Sequence, residues 1–294
     1  MNIQASDLKQ VITDAFNFEV VKLPLSAPDN QPTGYYGLFR DDLTGVDAVV
    51  GSSSVTSRYV PHTNDDVVAL VEAASNVFDG DVDVKCHFNN GHYVSVKPTA
   101  DHRVSIYGEK DNIFPSIVIS AGFDGRAFQA TMGYYRDLCQ NLAMMRQVSG
   151  TCQTIRHTRS LRPKMNDLIA TFNQLEDGWN NLTNVIEHLE TREVDLSQFL
   201  VAVYGSPEED SKRSVTIHRN RIEAIFKRVR NERFYAGRPR MTSMVVSAWE
   251  AYNAVQGYAQ HDSTRRGNAT DFDRILSASR DGFVKRAEEL VLTA

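Results

Sequence analysis

Alternating hydrophobic and polar positions run through much of the first half of the chain, the pattern of antiparallel strands with one buried and one solvated face. Two turn sequences divide this pattern into hairpins. Asn90-Gly91 separates the strands predicted within 82–98, and Asp124-Gly125 separates those within 113–135. Both dipeptides are preferred in two-residue turns, where the backbone needs positive φ. Together with residues 103–108, they predict an antiparallel meander of four or five strands.

Short helices and a loop accompany these strands. Apolar residues at helical spacing predict one helix over about 6–16 and another over about 65–77, the second with Asn64 as its N-cap. The segment between them is predicted to be a polar loop because it contains three prolines, Pro24, Pro28 and Pro32.

The second half of the chain changes to helical spacing. Its most regular segment places an apolar residue every three or four positions, which predicts a single helix with one continuous apolar seam. Two interpretations are open: the seam joins copies of the chain in a coiled coil or bundle, or it packs against the protein's own sheet and helices. The seam consists of Met165, Leu168, Phe172, Leu175, Trp179, Leu182, Ile186 and Leu189.

Further helices are predicted over about 214–233, 241–258 and 271–292. The fold class that follows is α+β: an N-terminal antiparallel β-meander with short helices, followed by a mainly α-helical C-terminal half. We predict a mixed α/β-sheet region at 1–145 and a helical region at 146–294, packed together as one composite unit.

The composition is that of an ordinary globular protein: of 294 residues, 41% are hydrophobic and 23% are charged. No apolar run approaches the roughly 18 residues of a membrane span, and the first residues lack the basic and apolar build of a secretory signal. Three cysteines at unpatterned spacing favour reduced thiols over a disulfide framework. We therefore expect a cytoplasmic protein with no membrane partner.

Charge is distributed in blocks. The net charge is −5, yet residues 146–164 carry five Lys or Arg and no acid, and residues 212–240 carry ten basic and two acidic residues. We call these the first and second basic segments. Between them, residues 165–211 carry one basic and ten acidic residues. The basic segments either neutralise this acidic stretch or bind an external anion; both interpretations are open.

Arginine dominates the second basic segment, and its planar guanidinium suits phosphate. The expected partner is therefore nucleic acid, single-stranded DNA in particular, with aromatic residues near the basic segments stacking on bases. The predicted phosphate contacts are Arg136, Arg146, Arg156, His157, Arg159, Arg162, Lys164, Arg219, Arg221, Lys227, Arg228 and Arg230, and the predicted stacking residues are Tyr134, Tyr135 and Tyr235.

Motifs that would identify a reaction are missing from the sequence. There is no P-loop, no glycine-rich dinucleotide fingerprint and no Gly-x-Ser-x-Gly elbow. Cys86 and His87 would point to opposite faces of a predicted strand, so they and His92 do not make a convergent zinc site. We predict no catalytic residue, no metal site and no cofactor.

A family resemblance covers residues 57–169. It is carried by Arg58-Tyr59-Val60-Pro61, by residues 120–142 with Arg136, Cys139 and Asn141, and by Arg156-His157-Thr158. These resemble an uncharacterised phage/plasmid-like protein family, domain of unknown function 932; the chain departs from its pattern at Leu138, where the family tends to have valine. The resemblance implies a bacterial host cytoplasm and a role in DNA metabolism. It supplies no reaction.

The leading functional hypothesis is a phage- or plasmid-encoded protein that binds or anneals single-stranded DNA as a homo-oligomer. The alternative is an oligomeric structural or assembly protein of a phage particle, without catalytic activity, in which basic and acidic segments of neighbouring copies pair. A metal-dependent nuclease is a third option, and it would require carboxylates clustered near Arg156 and His157.

Overall fold

The structure, a computed structural model, has an α+β fold, as the sequence predicts. It describes residues 2–3, 7–51, 54–78, 81–99, 104–105, 112–123, 127–136, 141–143, 152–172, 175–207, 211–263, 274, 277–278 and 281–293. The chain divides into two compact units. Unit 1 comprises Met1–His102, Pro115–Gly133 and Ser149–Gly178; unit 2 comprises Arg103–Phe114, Tyr134–Val148 and Trp179–Ala294. Each unit therefore draws on residues from both sides of position 145.

The strands and helices are numbered in chain order. The strands are β1 (Asn2–Ile3), β2 (Val20–Ser26), β3 (Pro32–Arg40), β4 (Val55–Thr56), β5 (Val82–Phe88), β6 (Gly91–Pro98), β7 (Val104–Ser105), β8 (Asn112–Gly122), β9 (Phe128–Arg136), β10 (Asn141–Ala143), β11 (Cys152–Ile155), β12 (Glu193–Asp195) and β13 (Val245–Ser247). The helices are α1 (Leu8–Ala15), α2 (Asn64–Ser75), α3 (Leu161–Phe172), α4 (Leu175–Thr191), α5 (Leu196–Tyr204), α6 (Lys212–Tyr235), α7 (Ala248–Gly257) and α8 (Gly282–Thr293).

The main sheet contains the predicted antiparallel strands in the order β1-β5-β6-β8-β9, with β11 also paired to β9. The first predicted hairpin is confirmed: β5 and β6 pair from Val82↔Pro98 to Phe88↔His92, and Asn90 in the turn has φ 50°. Strands β8 and β9 of the second hairpin are neighbours in the sheet, and its turn at Asp124-Gly125 lies outside the described residues. Strand β7 covers only Val104–Ser105 of the predicted 103–108.

A second, three-stranded sheet replaces the loop predicted around the prolines. Its order is β2-β3-β4, and Pro24 lies within β2, opposite Tyr36 of β3. The prediction was wrong because proline is excluded only from positions that must donate to a ladder. Strand β2 is at the edge of this sheet, where every other N–H points away from the neighbouring strand, so proline is tolerated in it.

The larger core of unit 1 lies between helices α1, α2 and α3 and the main sheet. It is formed by Leu8, Ile12, Leu70, Val94, Ile119 and Phe172 together with their buried neighbours. Helix α2 begins with a capping box in which Thr63, not Asn64, is the N-cap. Asn64 instead donates from its side-chain amide to the carbonyl oxygens of Phe16 and Phe18, both at 2.7 Å, and so ties the end of α1 to α2.

The core of unit 2 is built around α7, whose ten residues are all buried. Helix α7 begins seven residues later than the predicted 241–258 helix because Val245–Ser247 pair with β12, and Ser247 then caps α7 through a capping box with Glu250. Helix α6 agrees with the prediction: Ile225 and Val229 of its apolar stripe are buried. The last helix is described as Gly282–Thr293, and the predicted cap at Thr270 lies outside the described residues.

The apolar seam predicted for one long helix is shared between two helices and two cores. Met165, Leu168 and Phe172 on α3 are buried in the core of unit 1. Ile186 and Leu189 on α4 are buried in the core of unit 2. These described seam residues therefore pack within their own chain, which is the second of the two interpretations; the side chains of Leu175, Trp179 and Leu182 lie outside the description.

We expect Gly91→Ala to destabilise the protein by about 1–3 kcal/mol, because overpacking a tight site has that cost. A Cβ at Gly91 would lie 2.6 Å from both the Ala121 carbonyl oxygen and the Gly122 Cα, which are backbone atoms that cannot swing away. Gly282→Ala is the control, since a Cβ there meets nothing within 4 Å. Denaturation midpoints compare the two, and equal midpoints would contradict the tight strand approach.

Candidate functional site

The first basic segment lies in unit 1, and its described cations are at the surface. Arg156, Arg159, Arg162 and Lys164 are all exposed, whereas Arg146 lies outside the described residues. Arg162 Nε is 3.4 Å from Asp66 Oδ1, but the arginine side chain remains 72% exposed. An ion pair in which one partner is so exposed to solvent is weak. These four cations are therefore accessible to a ligand.

The second basic segment lies mainly on α6 in unit 2 and divides into two groups. Arg219, Lys227 and Arg230 are exposed on the outer face of the helix. Arg221 is half-buried, with its guanidinium carbon 4.7 Å from the Tyr204 ring centroid and 5.1 Å from that of Phe283. Its charge is thus partly covered by aromatic rings.

Arg136 and Arg228 are held by carboxylates of unit 2. Arg136 is only 1% exposed, and its Nη1 lies 2.6 Å from Glu232 Oε2. Arg228 binds Asp262 at 2.9 Å and approaches the other oxygen of Glu232 at 3.4 Å. Burial of Glu232 requires such partners, because an uncompensated buried charge is costly. The prediction that Arg136 contacts phosphate therefore does not fit its position in the fold.

Two further arginines of the second basic segment are used in the same way. Arg238 makes a bidentate pair with Glu190 at 2.8 and 2.9 Å. Arg233 donates to Glu250 at 2.8 Å. Burial raises the pKa of Glu190, and the Arg238 guanidinium opposes that shift. Of the second basic segment, Arg238 thus neutralises a carboxylate of the acidic 165–211 stretch, as the first interpretation predicts. Arg228 and Arg233 pair instead with carboxylates outside that stretch, and so does Arg136, which lies outside both basic segments.

Exposed aromatic side chains end α6. Tyr235, a predicted stacking residue, is 65% exposed, and its neighbour Phe234, which was not among the predicted stacking residues, is 70% exposed. Their ring centroids are 5.5 Å apart at an interplanar angle of 72°. Tyr134 and Tyr135 have their backbone in β9, and their side chains lie outside the description.

Unit 1 contains a pocket of about 360 Å³ that we call the Arg58 pocket. Its described lining is Val55, Thr56, Arg58, Tyr59, Ala127, Arg156, His157 and Thr158. Two chain segments about a hundred residues apart form it, and they are joined by a hydrogen bond from Val60 N to the His157 carbonyl oxygen at 3.0 Å. These are the segments Arg58-Tyr59-Val60-Pro61 and Arg156-His157-Thr158 on which the family resemblance rests.

Local hydrogen bonds shape the rim of the Arg58 pocket. Tyr59 N donates to the Thr56 carbonyl oxygen and closes a turn that presents Arg58. Lys22 Nζ donates to the carbonyl oxygens of Tyr59 and Ser57, at 2.7 and 3.1 Å. The small β2-β3-β4 sheet therefore anchors the turn that carries Arg58.

A chain of three buried histidines lies behind the pocket. His62 Nδ1 is 2.9 Å from His157 Nε2, and His62 Nε2 is 2.8 Å from His92 Nδ1. The His157 ring also stacks on Tyr59, with centroids 5.0 Å apart. His157 is only 5% exposed, so it is not part of an open basic surface; it lines the Arg58 pocket.

No sequence pattern predicted this chain of histidines. His62 belongs to no motif, and His92 had a possible role only as a metal ligand on its own strand. The three histidines follow no motif spacing, and the one available signal was that Arg-His-Thr and Arg-Tyr-Val-Pro carry the resemblance. Among the described residues, no group of three or more His, Cys, Asp or Glu side chains is placed to hold a metal ion.

A family model described as a domain of unknown function, DUF932, matches residues 52–280. The chain belongs to this family. The match extends well beyond the 57–169 stretch that carries the resemblance, and it includes the described lining of the Arg58 pocket and all of α6. No curated protein and no solved structure matches the chain. Among the described residues of this DUF932 protein, no helix is both long and apolar enough to cross a membrane.

Aromatic burial keeps the histidine chain of the DUF932 protein neutral. His62 stacks on Phe123 at 4.2 Å, and His92 meets Phe16 edge-on at 4.4 Å. Burial lowers the pKa of His62 well below its ordinary value, with the neighbouring His92 and His157 adding to the shift. Burial lowers the pKa of His157 to about 4.

The inner end of the chain is His92. Burial lowers the pKa of His92 to about 3, with the Arg40 charge as a smaller cause. Arg40 itself stacks on Phe18, with its guanidinium carbon 3.7 Å from the ring centroid. Protonating His92 would place a second positive charge in an apolar, already cationic surrounding.

We expect the protein to lose stability as the pH falls from about 6.5, the ordinary histidine pKa, towards about 4. In that window the histidines of the unfolded chain bind protons and those of the native protein do not. Each such histidine lowers the free energy of unfolding by about 1.4 kcal/mol per pH unit. Unfolding midpoints measured between these pH values test this linkage. Phenylalanine suits the aromatic surroundings of His92. In His92→Phe the slope of the free energy of unfolding against pH should therefore correspond to about one proton fewer, or about 1.4 kcal/mol less per pH unit.

The control for this prediction is His188→Gln, because His188 is exposed on α4 and outside the histidine chain. Its pH dependence should equal that of the unaltered protein. An identical decline in the His92→Phe protein would show that His92 is not one of the groups that resist protonation.

Proposed function

We propose that this protein binds nucleic acid, with single-stranded DNA as the favoured ligand, through the outer face of α6. The observation that carries the proposal is the cationic strip left exposed on this helix after internal ion pairing is accounted for. The phage or plasmid setting implied by the family resemblance belongs to the same proposal. It accords with DNA as the ligand.

The strip consists of four cations on one side of the helix. Lys212, Arg219, Lys227 and Arg230 are exposed, and at 100° per residue their positions fall within an arc of about 80°. From first to last they span about 27 Å at 1.5 Å per residue. Glu223 is the one acidic residue within the same arc. A strip of this length and charge follows a nucleic-acid backbone better than it fits a small anion.

Aromatic side chains complete the surface. Phe234 follows the strip on the same face, and Tyr235 lines a groove of about 520 Å³ beside α6 together with Lys227 and Asn231. Residues 227, 231 and 235 are spaced four apart and so share one line along the helix. Exposed rings beside cations suit unpaired bases, which stack without regard to sequence. This is why a single strand is favoured over a duplex.

The groove's acidic residues are already neutralised in part. Glu232 and Asp262 line it, but both are bound by Arg228, and Glu232 is bound by Arg136 as well. Arg136 and Arg228 therefore support the surface by cancelling carboxylate charge rather than by meeting phosphate. Arg156, Arg159, Arg162 and Lys164 form a separate exposed cationic surface in unit 1 that belongs to the same proposal.

The alternative of a particle-assembly protein has less support in the fold. Its argument was that basic and acidic segments of neighbouring copies pair, and Arg238 of the second basic segment pairs with Glu190 of the acidic stretch within the chain itself. The described residues of the apolar seam are buried in the chain's own cores, so they offer no interface either. Self-association of the DNA-bound protein remains part of the proposal, since it needs no seam.

We expect the affinity for a single-stranded oligonucleotide to fall steeply between about 50 and 200 mM salt, because phosphate contacts release counterions. The double variant Arg219→Ala/Arg230→Ala should bind about tenfold more weakly at about 100 mM salt and reduce the log–log salt slope by about 1.4, at about 0.7 per contact. Fluorescence anisotropy measures both quantities.

The charge-matched control is Lys285→Ala/Arg286→Ala, which removes two exposed cations from α8 instead. It should retain nearly full affinity and slope. Equal losses in the two double variants would reduce the interaction to net charge and overturn the α6 surface. Salt-insensitive assemblies that ignore the oligonucleotide would overturn DNA binding altogether and favour the assembly role.

We expect Phe234→Ala to weaken binding of single-stranded DNA by about 1–3 kcal/mol, the usual contribution of one base–aromatic stack. A blunt duplex of equal length offers no free base, so the affinity for it should fall less. Because Phe234 is exposed, its loss should leave the melting temperature unchanged. An equal effect on both ligands would contradict stacking at this position.

A further inference from the structure

We propose that the Arg58 pocket is a binding site for a phosphate monoester group, either on a mononucleotide or at the end of a nucleic-acid strand. The pocket lies in unit 1, and the observations that carry this inference are independent of the α6 surface. They concern the charge of its rim, the chemistry of its floor and the hydrogen-bond chain behind it.

The rim is cationic and holds hydroxyl donors. Arg58 and Arg156 are both exposed and come from the two separate segments that form the pocket. Thr56 and Thr158 add hydroxyl groups to the lining. No carboxylate occurs among the described lining residues. Two guanidinium groups with nearby hydroxyls are the donor set that phosphate oxygens require, since charge-assisted hydrogen bonds are the strongest available.

The floor is a neutral histidine with one nitrogen committed. His157 Nε2 is bonded to His62, which leaves Nδ1 as the ring nitrogen for a ligand; among the described residues it has no hydrogen-bond partner. The stack on Tyr59 holds the plane of the ring. His157 is therefore a positioned, uncharged group that lines the same pocket as two cations and is able to donate one hydrogen bond to an anion.

The histidine chain allows two neutral arrangements, and an anion selects one of them. If Nδ1 of His157 carries the proton, Nε2 must accept from His62 Nδ1–H, and His62 Nε2 must accept from His92 Nδ1–H. In the reverse arrangement a lone pair of His157 would face the anion. Phosphate in the pocket thus favours the first arrangement along all three rings, through to the buried His92.

The pocket size agrees with this ligand class. About 360 Å³ is at the lower end of small-molecule sites and accommodates a phosphate with an attached sugar or base. Tyr59, which is half-buried in the lining, offers an aromatic surface beside the phosphate position.

The experiment is calorimetric titration with inorganic phosphate, a nucleoside monophosphate and the corresponding nucleoside. We expect the two phosphate-bearing probes to bind and the nucleoside not to bind. Arg58→Ala and Arg156→Ala should each weaken binding by at least about tenfold, the loss typical of one charge-assisted contact. Lys9→Ala, which removes an exposed cation of unit 1 that lies on α1 outside the lining, is the control. Equal weakening by all three variants would overturn the site.

A second arm distinguishes the two sources of phosphate. Oligonucleotides with a 5′-phosphate and a 5′-hydroxyl are compared at fixed length. A preference for the 5′-phosphate that disappears in Arg58→Ala identifies a strand end as ligand, while mononucleotide binding without such a preference identifies the small molecule. If the nucleoside monophosphate does not bind and the oligonucleotides show no preference for the 5′-phosphate, the proposed phosphate site is wrong. Because Arg58 is in neither proposed nucleic-acid surface and Arg219 and Arg230 are not in the pocket lining, Arg58→Ala and Arg219→Ala/Arg230→Ala let each of the two proposals fail while the other holds.

The tautomer of His157 gives a second readout, which does not depend on the net charge of the protein. With labelled histidine, the nitrogen chemical shifts of His157 should show a protonated Nδ1 and an unprotonated Nε2 when inorganic phosphate is bound. Lys9→Ala should give the same signature, and Arg58→Ala should need more phosphate to reach it. A bound state in which Nε2 carries the proton would overturn the assignment of His157 to the phosphate.

Discussion

The hydrogen-bonding requirement of buried imidazoles holds unit 1 together at its candidate site. His62 is bonded through both ring nitrogens, to His157 and to His92, and each of the three rings comes from a different part of the chain. Burying a polar ring in aromatic surroundings is costly unless its nitrogens find partners, and both nitrogens of His62 and one of His92 do so. This requirement fixes the loop before α2, strand β6 and the segment after β11 in one arrangement. The Arg58 pocket is a consequence of it.

Unit 2 follows the same rule with charges instead of imidazoles. Glu232 and Glu250 are buried, and each is compensated by arginines of the second basic segment and its surroundings. The compensation divides the arginines into those that stabilise the fold and those that remain at the surface. Removing a partner from such a pair leaves a buried charge, whereas removing an exposed cation costs little stability. The proposed functional surface therefore consists of the cations that are not used in these internal ion pairs.

The two candidate sites use their cations differently. On α6, four cations are spread over several turns of one helix, an arrangement that suits an extended polyanion. At the Arg58 pocket, two cations and a neutral histidine converge on a small volume, an arrangement that suits one phosphate group. Both sites lie in the region shared with the DUF932 family.

Several elements followed from local sequence alone. The β5-β6 hairpin was predictable because Asn90-Gly91 specifies its turn, and α6 was predictable from an apolar stripe between basic margins. The β2-β3 hairpin was not, because a proline is harmless at a sheet edge and the sequence does not say which strand is at the edge. The seam was regular enough to predict one helix, yet its residues belong to α3 and α4 and to two cores.

What the sequence by itself determined was periodicity: the fold class, the position of most helices and strands, and the two basic segments. These depend on neighbours along the chain, whose side-chain directions are set by backbone geometry. The tertiary structure alone decided which cations form ion pairs with Glu190, Glu232 and Glu250, and which histidines are hydrogen-bonded behind the Arg58 pocket. Apart from the Arg228–Glu232 pair, which is four positions apart, those contacts join residues separated by 17 to 96 positions. No local pattern encodes such distances, because burial and pairing depend on how the whole chain packs.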